Sequence, residues 1–356
     1  MDNAVYRIID ANFNRAREAL RIIEEFCRFA LNSKSLSARV KELRHQLCNS
    51  IAQLDSDRLI SSRDTLSDVG VGQVIASQSS RNDLKDCLTA GCKRLVEALR
   101  VLSEVIQIHN KAIAKQIEQL RYAAYTLEKD IVLISEPLEK YRKVHLYIII
   151  TSNYPAEILS LASQCATSGA DCIQLRAKQM QNDDLFAAAI EFVKICRDNG
   201  VCSVINDRLD IAIASDADGI HFGQNDLPLE CVRQLEQKPM IIGKSTHSLE
   251  QLKSACDEYP TYVGLGPVFA TTTKPTAEPV GLDYVNKATT FLAEEPVGHV
   301  AIGGITMENV EQVLNAGADC IAVCNAVTKA HDPSQACKAL KQKIISFDKG
   351  LLIKKI

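Results

Sequence analysis

The segment VCSVINDRLDIAIASDADGIHFG, residues 201–223, contains one copy of the pattern that repeats through the second half of the chain. A β-branched apolar run at 201–207 is followed by an amphipathic stretch and then by a second short apolar run at 219–223. Short apolar runs bounded by polar turns are typical of buried strands, and the stretch between them is typical of a crossover helix. The segment therefore predicts a β-α-β unit with parallel strands.

The same alternation begins at Val144 and continues through the rest of the sequence. Eight apolar runs, each followed by a helical pattern, are predicted as strands: 144–151, 172–177, 201–207, 219–223, 240–246, 262–269, 298–305 and 320–327. Eight regular β-α units of this length predict an α/β fold, a (β/α)8 TIM barrel. A doubly wound open sheet is the alternative, but the regular spacing of the units favours closure.

Residues 1–139 follow a different pattern, which is helical almost throughout. EALRII at 18–23 returns as EALRVL at 97–102, and a two-helix unit used twice would explain the repeat. Chance similarity between amphipathic helices is the alternative. The Ser-Glu-Pro step at 135–137 is predicted to end the helical region. We therefore predict an all-α domain at 1–139 and a barrel domain at 140–356.

Composition excludes several classes of function. The 356 residues include 41 basic and 44 acidic side chains, no Trp and 5% aromatic residues, which argues against a nucleic-acid binder. No apolar run is long enough to span a membrane, and the N-terminus lacks a signal-peptide core. The 13 cysteines show no CxxC pair or zinc spacing, which is typical of free thiols in a reducing cytoplasm. Small-molecule substrates are the expected partners.

The ends of the predicted strands are rich in polar residues, and in a TIM barrel the active site lies at those ends. The candidates are Gln174, Arg176, Lys178, Asn206, Asp207, His221, Gln224, Asp226, Lys244, Ser245, His247, Thr271, Thr272, Thr273, Lys274, Gly303, Gly304 and Asn325. Asp207 and Asp226 follow adjacent strands. Two carboxylates together with substrate phosphate oxygens suit Mg²⁺, which retains much of its water. The alternative for either aspartate alone is a helix N-cap.

The remaining candidates indicate phosphorylated substrates. Arg176, Lys178 and Lys274, with Ser and Thr hydroxyls beside them, are the donor types that bind a polyphosphate. The diglycine in AIGGIT at 301–306 lets backbone N–H groups approach a second phosphate, at the usual phosphate site of this fold. No nucleophile stands out: the sequence assigns no base to Ser245, and a Cys324–His pair is the alternative. These features favour displacement of diphosphate over a covalent enzyme.

Residues 144–347 resemble the thiamine-phosphate synthase family, also called thiamine-phosphate pyrophosphorylase. The motifs are QLRAK (174–178), INDRLDIAIASDADGIHFGQNDLP (205–228), GKSTHS (243–248), YVGLGPVFATTTK (262–274), IGGIT (302–306) and NAGADCIAV (315–323). The resemblance implies a transferase that joins hydroxymethylpyrimidine diphosphate to a thiazole phosphate, commonly its carboxylated tautomer. It also implies dissociative chemistry, in which diphosphate leaves before the thiazole nitrogen captures a pyrimidine cation.

The resemblance also implies a role for each matching residue. Mg²⁺ is held by Asp207 and Asp226. The pyrimidine diphosphate is bound by the segment Gln174, Leu175, Arg176, Ala177 and Lys178, and by Asn206, Ser245 and Lys274. The thiazole phosphate is bound by Thr271, Thr273, Gly304, Cys324 and Asn325. Arg176, Ser245 and Lys274 are the candidate catalytic residues. Many family members carry Ile-Ser where this chain has Cys324-Asn325.

Residues 1–139 resemble the helical domain that precedes the synthase in some bacteria. The matching runs are YRIIDANFNRAREALRIIEEFCRF (6–29), RDTLSDVG (63–70) and LVEALRVLSE (95–104). Relatives of this domain are associated with phosphorylating hydroxymethylpyrimidine phosphate. The alternatives are an oligomerisation module, which would make the protein a homo-oligomer, and a regulatory module. For the whole chain, the alternative to an enzyme is a non-catalytic sensor of thiamine intermediates.

Overall fold

The chain divides into two compact units, Met1–Val132 and Leu133–Ile356. The structure is a computed structural model that describes residues 3–65, 68–69, 80–236, 238–271 and 278–354, with side chains described as far as residue 347. Within those residues, no helix is both long and apolar enough to cross a membrane. The 13 cysteines all fall in the described ranges and are free thiols.

The first unit is built from helices. They are α1 (Asn3–Glu25), a π-helical turn (Phe26–Ala30), α2 (Lys34–Ile51), α3 (Ser56–Ser61), α4 (Leu84–Ile106) and the start of α5 (Lys111–Tyr141). Helices α1 and α4 pack against each other, with Gly91 of α4 against Ile22 and Ile23 of α1. Both helices have 23 residues, and each carries one of the two repeated EALR segments in its C-terminal half.

The prediction that Ser135–Pro137 ends the helical region is wrong, because α5 continues through Pro137 to Tyr141. A proline inside a helix removes one backbone hydrogen bond and costs about 3 kcal/mol. Burial of Ile134, Leu138 and Tyr141 at helical spacing on one face offsets that cost. The apolar face therefore extends the helix past the residue that predicts its end.

The second unit contains the predicted barrel. The strands are β1 (Leu146–Thr151), β2 (Cys172–Arg176), β3 (Cys202–Asn206), β4 (Gly219–Phe222), β5 (Ile241–Thr246), β6 (Tyr262–Leu265), β7 (Gly298–Ile302) and β8 (Ile321–Val323). Every described neighbouring pair is parallel, and β8 pairs with β1 to close the sheet. The TIM barrel is confirmed, and the open-sheet alternative is excluded.

Helices alternate with these strands. They are α6 (Pro155–Ala166), α7 (Asn182–Asp198), α8 (Leu209–Ala214), α9 (Leu229–Leu235), α10 (Leu249–Asp257), α11 (Gly281–Leu292), α12 (Val310–Asn315), α13 (Asn325–Thr328) and α14 (Pro333–Lys354). The last three strands end earlier than predicted. After β8, for example, the predicted strand residues 325–327 form α13 instead.

Side chains on each strand alternate between the barrel interior and the surrounding helices. The interior holds an apolar cluster at the N-terminal part of the barrel, formed by Tyr141, Val144, Tyr147, Ile149, Cys172, Cys202, Val204, Ile241, Tyr262, Val300, Cys320 and Ala322. Further along the strands the inward positions are polar, as at Gln174, Asn206 and Ser245. The alternation therefore puts an apolar floor beneath a polar mouth.

Aspartates fasten the N-terminal ends of neighbouring strands. The Asp171 carboxylate accepts hydrogen bonds from the backbone N–H groups of His145 and Leu146, both at 2.9 Å, and pairs with Lys341. On the next part of the rim, Asp218 accepts from the Ser203 backbone N–H at 2.9 Å and from its hydroxyl at 3.0 Å. These carboxylates satisfy backbone donors that the sheet leaves unpaired at its edge.

Removing one of these rim carboxylates is expected to destabilise the barrel. Asp171→Ala leaves two backbone donors and Lys341 without their acceptor, so the free energy of unfolding should fall by about 2–3 kcal/mol. Asp283→Ala, which removes an exposed partner of Lys287 on a helix surface, should change it by less than about 0.5 kcal/mol. Urea unfolding of the full chain measures both. Equal effects would contradict the role given to Asp171.

Candidate active site

A cavity of about 360 Å³ opens at the C-terminal ends of the strands. It brings together most of the site residues that the sequence predicts. Those lining it are Gln174, Arg176, Lys178, Asn206, Asp207, His221, Asp226, Ser245, His247, Thr271, Gly303, Gly304, Cys324 and Asn325. These residues come from seven different strand ends, so barrel closure alone brings them into one site.

Some predicted residues lie elsewhere. Leu175 is 1% exposed and packs in the core between the barrel and its helices, where Ala177 also contacts the core. Both residues line a smaller neighbouring cavity and are not part of the lining of the larger one. Lys244 is buried and points to Glu258, at 3.9 Å, outside the larger cavity. Thr273 and Lys274 lie outside the described residues, as does Thr272.

Asp207 occupies a strained position at the end of β3. Its φ of +61° is in the left-handed region, and the N–H of Arg208 bonds to the carbonyl of Asn206 across it at 2.7 Å, which forms a γ-turn. Such backbone strain is concentrated at functional sites, because the surrounding structure must hold it in place. Here the Asp207 N–H is held by the carbonyl of His221, at 2.9 Å.

The charge of Asp207 is also disfavoured. Burial raises the pKa of its carboxyl, and the nearby Asp226 carboxylate raises it further, whereas Lys178, 3.2 Å away, lowers it. Because a raised pKa means that the fold prefers the protonated form, ionised Asp207 destabilises the protein once the pH rises above that pKa. Asp226 itself accepts a hydrogen bond from the backbone N–H of Gly223 at 2.6 Å. The pair therefore concentrates negative charge that a cation would neutralise.

The diglycine turn after β7 lines the side of the cavity opposite the Asp207–Asp226 pair. Gly303 and Gly304 have φ values of +106° and +65°, and a Cβ on Gly304 would lie 2.5 Å from the carbonyl oxygen of Ala270. Only glycine fits this turn, which leaves the backbone exposed to the cavity. At the end of β8, the Cys324 thiol lies 3.8 Å from the Thr151 hydroxyl and 3.6 Å from the side-chain oxygen of Asn325.

A chain of hydrogen bonds that the sequence analysis missed runs from the cavity into the barrel. Ser245 Oγ lies 2.9 Å from His221 Nε2, and His221 Nδ1 lies 2.9 Å from the Tyr262 hydroxyl. That hydroxyl lies 2.8 Å from the Tyr147 hydroxyl, which accepts from the Gln174 amide at 3.0 Å. In the sequence, His221 is one of many polar residues near the strand ends, and no pattern sets it apart. The two tyrosines sit inside apolar runs, and their inward register was the only signal that could have found them.

Two groups of charged residues in the helical unit include polar residues of the matching runs at 6–29 and 63–70. Arg63 makes a two-pronged pair with Asp10, at 2.7 and 2.8 Å, although the residues are 53 positions apart. Glu24 is 1% exposed and is surrounded by Arg21, Arg44 and Lys41, at 3.4, 3.2 and 3.9 Å. Only the Arg21–Glu24 pair has the spacing of neighbours on a helix surface. Lys41 and Arg44 reach Glu24 from α2, and Arg63 reaches Asp10 from the segment after α3, so these pairs connect separate parts of the unit.

The fold and the strand-end cavity place the chain among the (β/α)8-barrel enzymes, whose active sites lie at this end of the barrel. Residues 146–327 match the family model described as thiamine monophosphate synthase, and residues 7–130 match that of the ThiD2 family. The thiamine-phosphate synthase of Synechocystis sp. is 39% identical over 338 residues, covering 95% of each chain. That of Thermosynechococcus vestitus is 34% identical, covering 95% of this chain and 94% of its own.

A solved structure agrees with these sequence matches. The thiamine phosphate pyrophosphorylase from Pyrococcus furiosus is 31% identical, with a TM-score of 0.53, over 58% of this chain and 97% of its own. The chain therefore belongs to the thiamine-phosphate synthase family and is a transferase of thiamine biosynthesis.

Filling the space beside the hydrogen-bond chain should impair the site. A Cβ on Gly243 would lie 2.4 Å from the Tyr262 hydroxyl and 2.5 Å from His221 Nδ1, so Gly243→Ala must separate these two groups. We expect synthase activity to fall by at least about tenfold, the value of one broken hydrogen bond. At Gly264, on the next strand, a Cβ meets nothing closer than 3.6 Å, so Gly264→Ala should cost less. Steady-state assays compare the two, and equal losses would contradict this explanation.

Proposed function

We propose that this transferase condenses hydroxymethylpyrimidine diphosphate with a thiazole phosphate or its carboxylated tautomer, releasing diphosphate in a Mg²⁺-assisted dissociative displacement. The observation that carries the proposal is the Asp207–Asp226 pair, which lines the same cavity as Arg176 and Lys178. Two carboxylates among cations would be a poor site for an uncharged ligand. They suit a metal–diphosphate complex, in which positive and negative groups alternate.

The carboxylate pair fits Mg²⁺ on electrostatic grounds. Burial and then the nearby Asp226 carboxylate raise the pKa of Asp207, so a cation between the two would favour their ionised forms. Among the described residues, no third His, Cys, Asp or Glu joins the pair to make a larger metal cluster. Mg²⁺ commonly binds through one or two carboxylates together with substrate phosphates and water. When bound, it would supply positive charge to the departing diphosphate.

The chain's own residues would bring about the remaining steps. Arg176 and Lys178, with Lys274, would neutralise negative charge that builds up on the diphosphate as the bond between its oxygen and the methylene carbon of the hydroxymethylpyrimidine breaks. Asn206, Gln174 and Ser245 would orient the pyrimidine. No covalent enzyme intermediate is needed, because the thiazole nitrogen supplies the electron pair for the new bond.

The other phosphate would be held on the opposite side of the cavity. Its ligands would be the hydroxyls of Thr271 and Thr273 and the backbone N–H groups around Gly304 and Cys324–Asn325. The Cys-Asn pair replaces the common Ile-Ser, but backbone donors are insensitive to that change. This division would place the two phosphorylated substrates face to face across the barrel mouth.

The metal site can be tested without an activity assay. Diphosphate should raise the thermal unfolding midpoint of the unmodified chain by a few degrees when Mg²⁺ is present, and much less without it. Asp207→Asn should abolish the Mg²⁺-dependent part, because it removes one carboxylate while Asn tolerates the left-handed backbone. Without metal, the same variant should be slightly more stable than the parent at pH 7.5, because it removes a disfavoured charge.

Asp216→Asn is the matched control. Asp216 also has a left-handed φ, of +59°, but it lies outside the cavity and pairs with Arg197 and Lys238. Its variant should keep the full Mg²⁺-dependent rise. Loss of that rise in both variants, or its retention in Asp207→Asn, would rule out the proposed ligand.

For the helical unit we propose phosphorylation of hydroxymethylpyrimidine phosphate, which would supply the barrel with its diphosphate substrate. The match of residues 7–130 to the ThiD2 family supports this proposal. So does the Arg63–Asp10 pair, which joins the first residue of the RDTLSDVG match to α1. An oligomerisation or regulatory module is the second candidate for this unit. A cytoplasmic location also stays a prediction, supported by the 13 free thiols.

One assay with two arms separates these activities, with thiamine phosphate detected by mass spectrometry. The first arm supplies the pyrimidine diphosphate, thiazole phosphate and Mg²⁺, and product is expected. The second replaces the diphosphate with pyrimidine monophosphate and ATP, and product there would assign the kinase step to this chain. Arg63→Gln should then reduce the second arm only. Product in neither arm would favour a non-catalytic sensor.

A further inference from the structure

The hydrogen-bond chain from Gln174 to Ser245 has a direction that follows from counting its hydrogens. A tyrosine hydroxyl carries one hydrogen, so it donates once, although it can accept more than once. A neutral imidazole has one N–H donor and one acceptor nitrogen. Fixing the donor at one end of such a chain therefore fixes every link that follows.

The direction starts at Gln174, which is 2% exposed. Its amide donates to the Tyr147 hydroxyl, so the hydrogen of Tyr147 remains for its other neighbour, the hydroxyl of Tyr262. The hydrogen of Tyr262 in turn remains for His221 Nδ1. Burial raises the pKa of both tyrosines well above the ordinary value, so neither loses the hydrogen that it donates. His221 Nδ1 is then an acceptor, and the imidazole hydrogen is on Nε2.

The rings that carry this chain are held in place by close packing. Tyr141 stacks on Tyr262 with ring centroids 4.3 Å apart and planes 5° apart. Gly298 makes room for Tyr141, since a Cβ there would lie 2.7 Å from its ring. Gly243 makes room for the Tyr262 hydroxyl in the same way. The stacking on Tyr141 and the close approach of Gly243 restrict movement of the Tyr262 ring.

We infer that Gln174, Tyr147 and Tyr262 are positioning residues that hold His221 as the neutral Nε2–H tautomer. His221 then donates to Ser245 Oγ, and the Ser245 hydroxyl must direct its own hydrogen elsewhere, into the cavity that it lines. Ser245 is thus oriented to donate a hydrogen bond to an acceptor atom of the substrate in the cavity. In a nucleophilic Ser–His pair the serine donates to the histidine. Here the histidine donates to the serine, so the hydrogen bond runs in the opposite direction.

This inference rests on the proposed function for the identity of the substrate, but its direct test does not. The full chain labelled with ¹⁵N at histidine is studied by NMR at pH 8, and His221→Gln assigns the His221 signals. We expect an acceptor-type Nδ1 and a protonated Nε2. A protonated Nδ1 with an acceptor-type Nε2, or a charged ring, would overturn the inference.

Removing one hydrogen bond of the chain should allow His221 to adopt both neutral tautomers. Tyr262→Phe keeps the stacked ring but deletes the hydroxyl, so His221 should show a mixture of tautomers and kcat should fall about tenfold. Tyr284→Phe is the matched control, because that buried hydroxyl bonds to Thr246 outside the chain. It should leave both readouts unchanged. An unchanged tautomer and kcat in Tyr262→Phe would overturn the inference.

Two further measurements keep the test decisive. Should Tyr262→Phe fail to fold, Tyr147→Phe removes the preceding link and is expected to change the same two readouts in the same direction. An unaltered His221 signal there would count against the chain. If the unmodified protein makes no thiamine phosphate in the first assay arm, the proposed function fails. The His221 spectrum still decides whether His221 donates to Ser245 or accepts from it.

Discussion

Closure of the sheet is the constraint on which the rest of the barrel depends. Pairing of Leu146–Ile148 in β1 with Ile321–Val323 in β8 joins the two ends of the strand series. Because all neighbours are parallel, closure brings every C-terminal strand end to one rim. Arg176 and Asn325, which are far apart in sequence, thereby line the same cavity. The cavity needs no other organising element.

Closure also explains why the barrel was predictable and its polar interior was not. Strands buried on both faces give continuous apolar runs, as at 144–151 and 201–207, and these runs identify every strand. The same continuity conceals where β6 to β8 end, since the buried apolar residues Val268, Ile305 and Val327 extend each run past its strand. Tyr147 and Tyr262 were concealed for the same reason. Their rings belong to the apolar floor, and only their hydroxyls take part in the polar chain, which sequence pattern does not reveal.

At Asp207 and at Pro137, the local preference of the residue conflicts with the conformation that the surrounding structure imposes, and the physical cause differs between the two positions. At Asp207 the cost is both conformational and electrostatic, because a left-handed backbone carries a carboxylate that the fold prefers to protonate. Sequence could indicate the carboxylate but not the strain, which depends on the turn around it. At Pro137 the balance goes the other way. There, burial of the neighbouring apolar face preserves a helix that local preference would end.

The ring of Tyr141 has a consequence for where the catalytic unit begins. A truncated chain starting at Val144 would contain all eight described strands, yet it would lack the side chain that stacks on Tyr262 from the closed end of the barrel. It would also lose Lys140, whose ammonium pairs with Asp218 at 2.5 Å on the rim. The last turn of α5 therefore closes the N-terminal end of the barrel, although the sequence predicts that the helix ends before it.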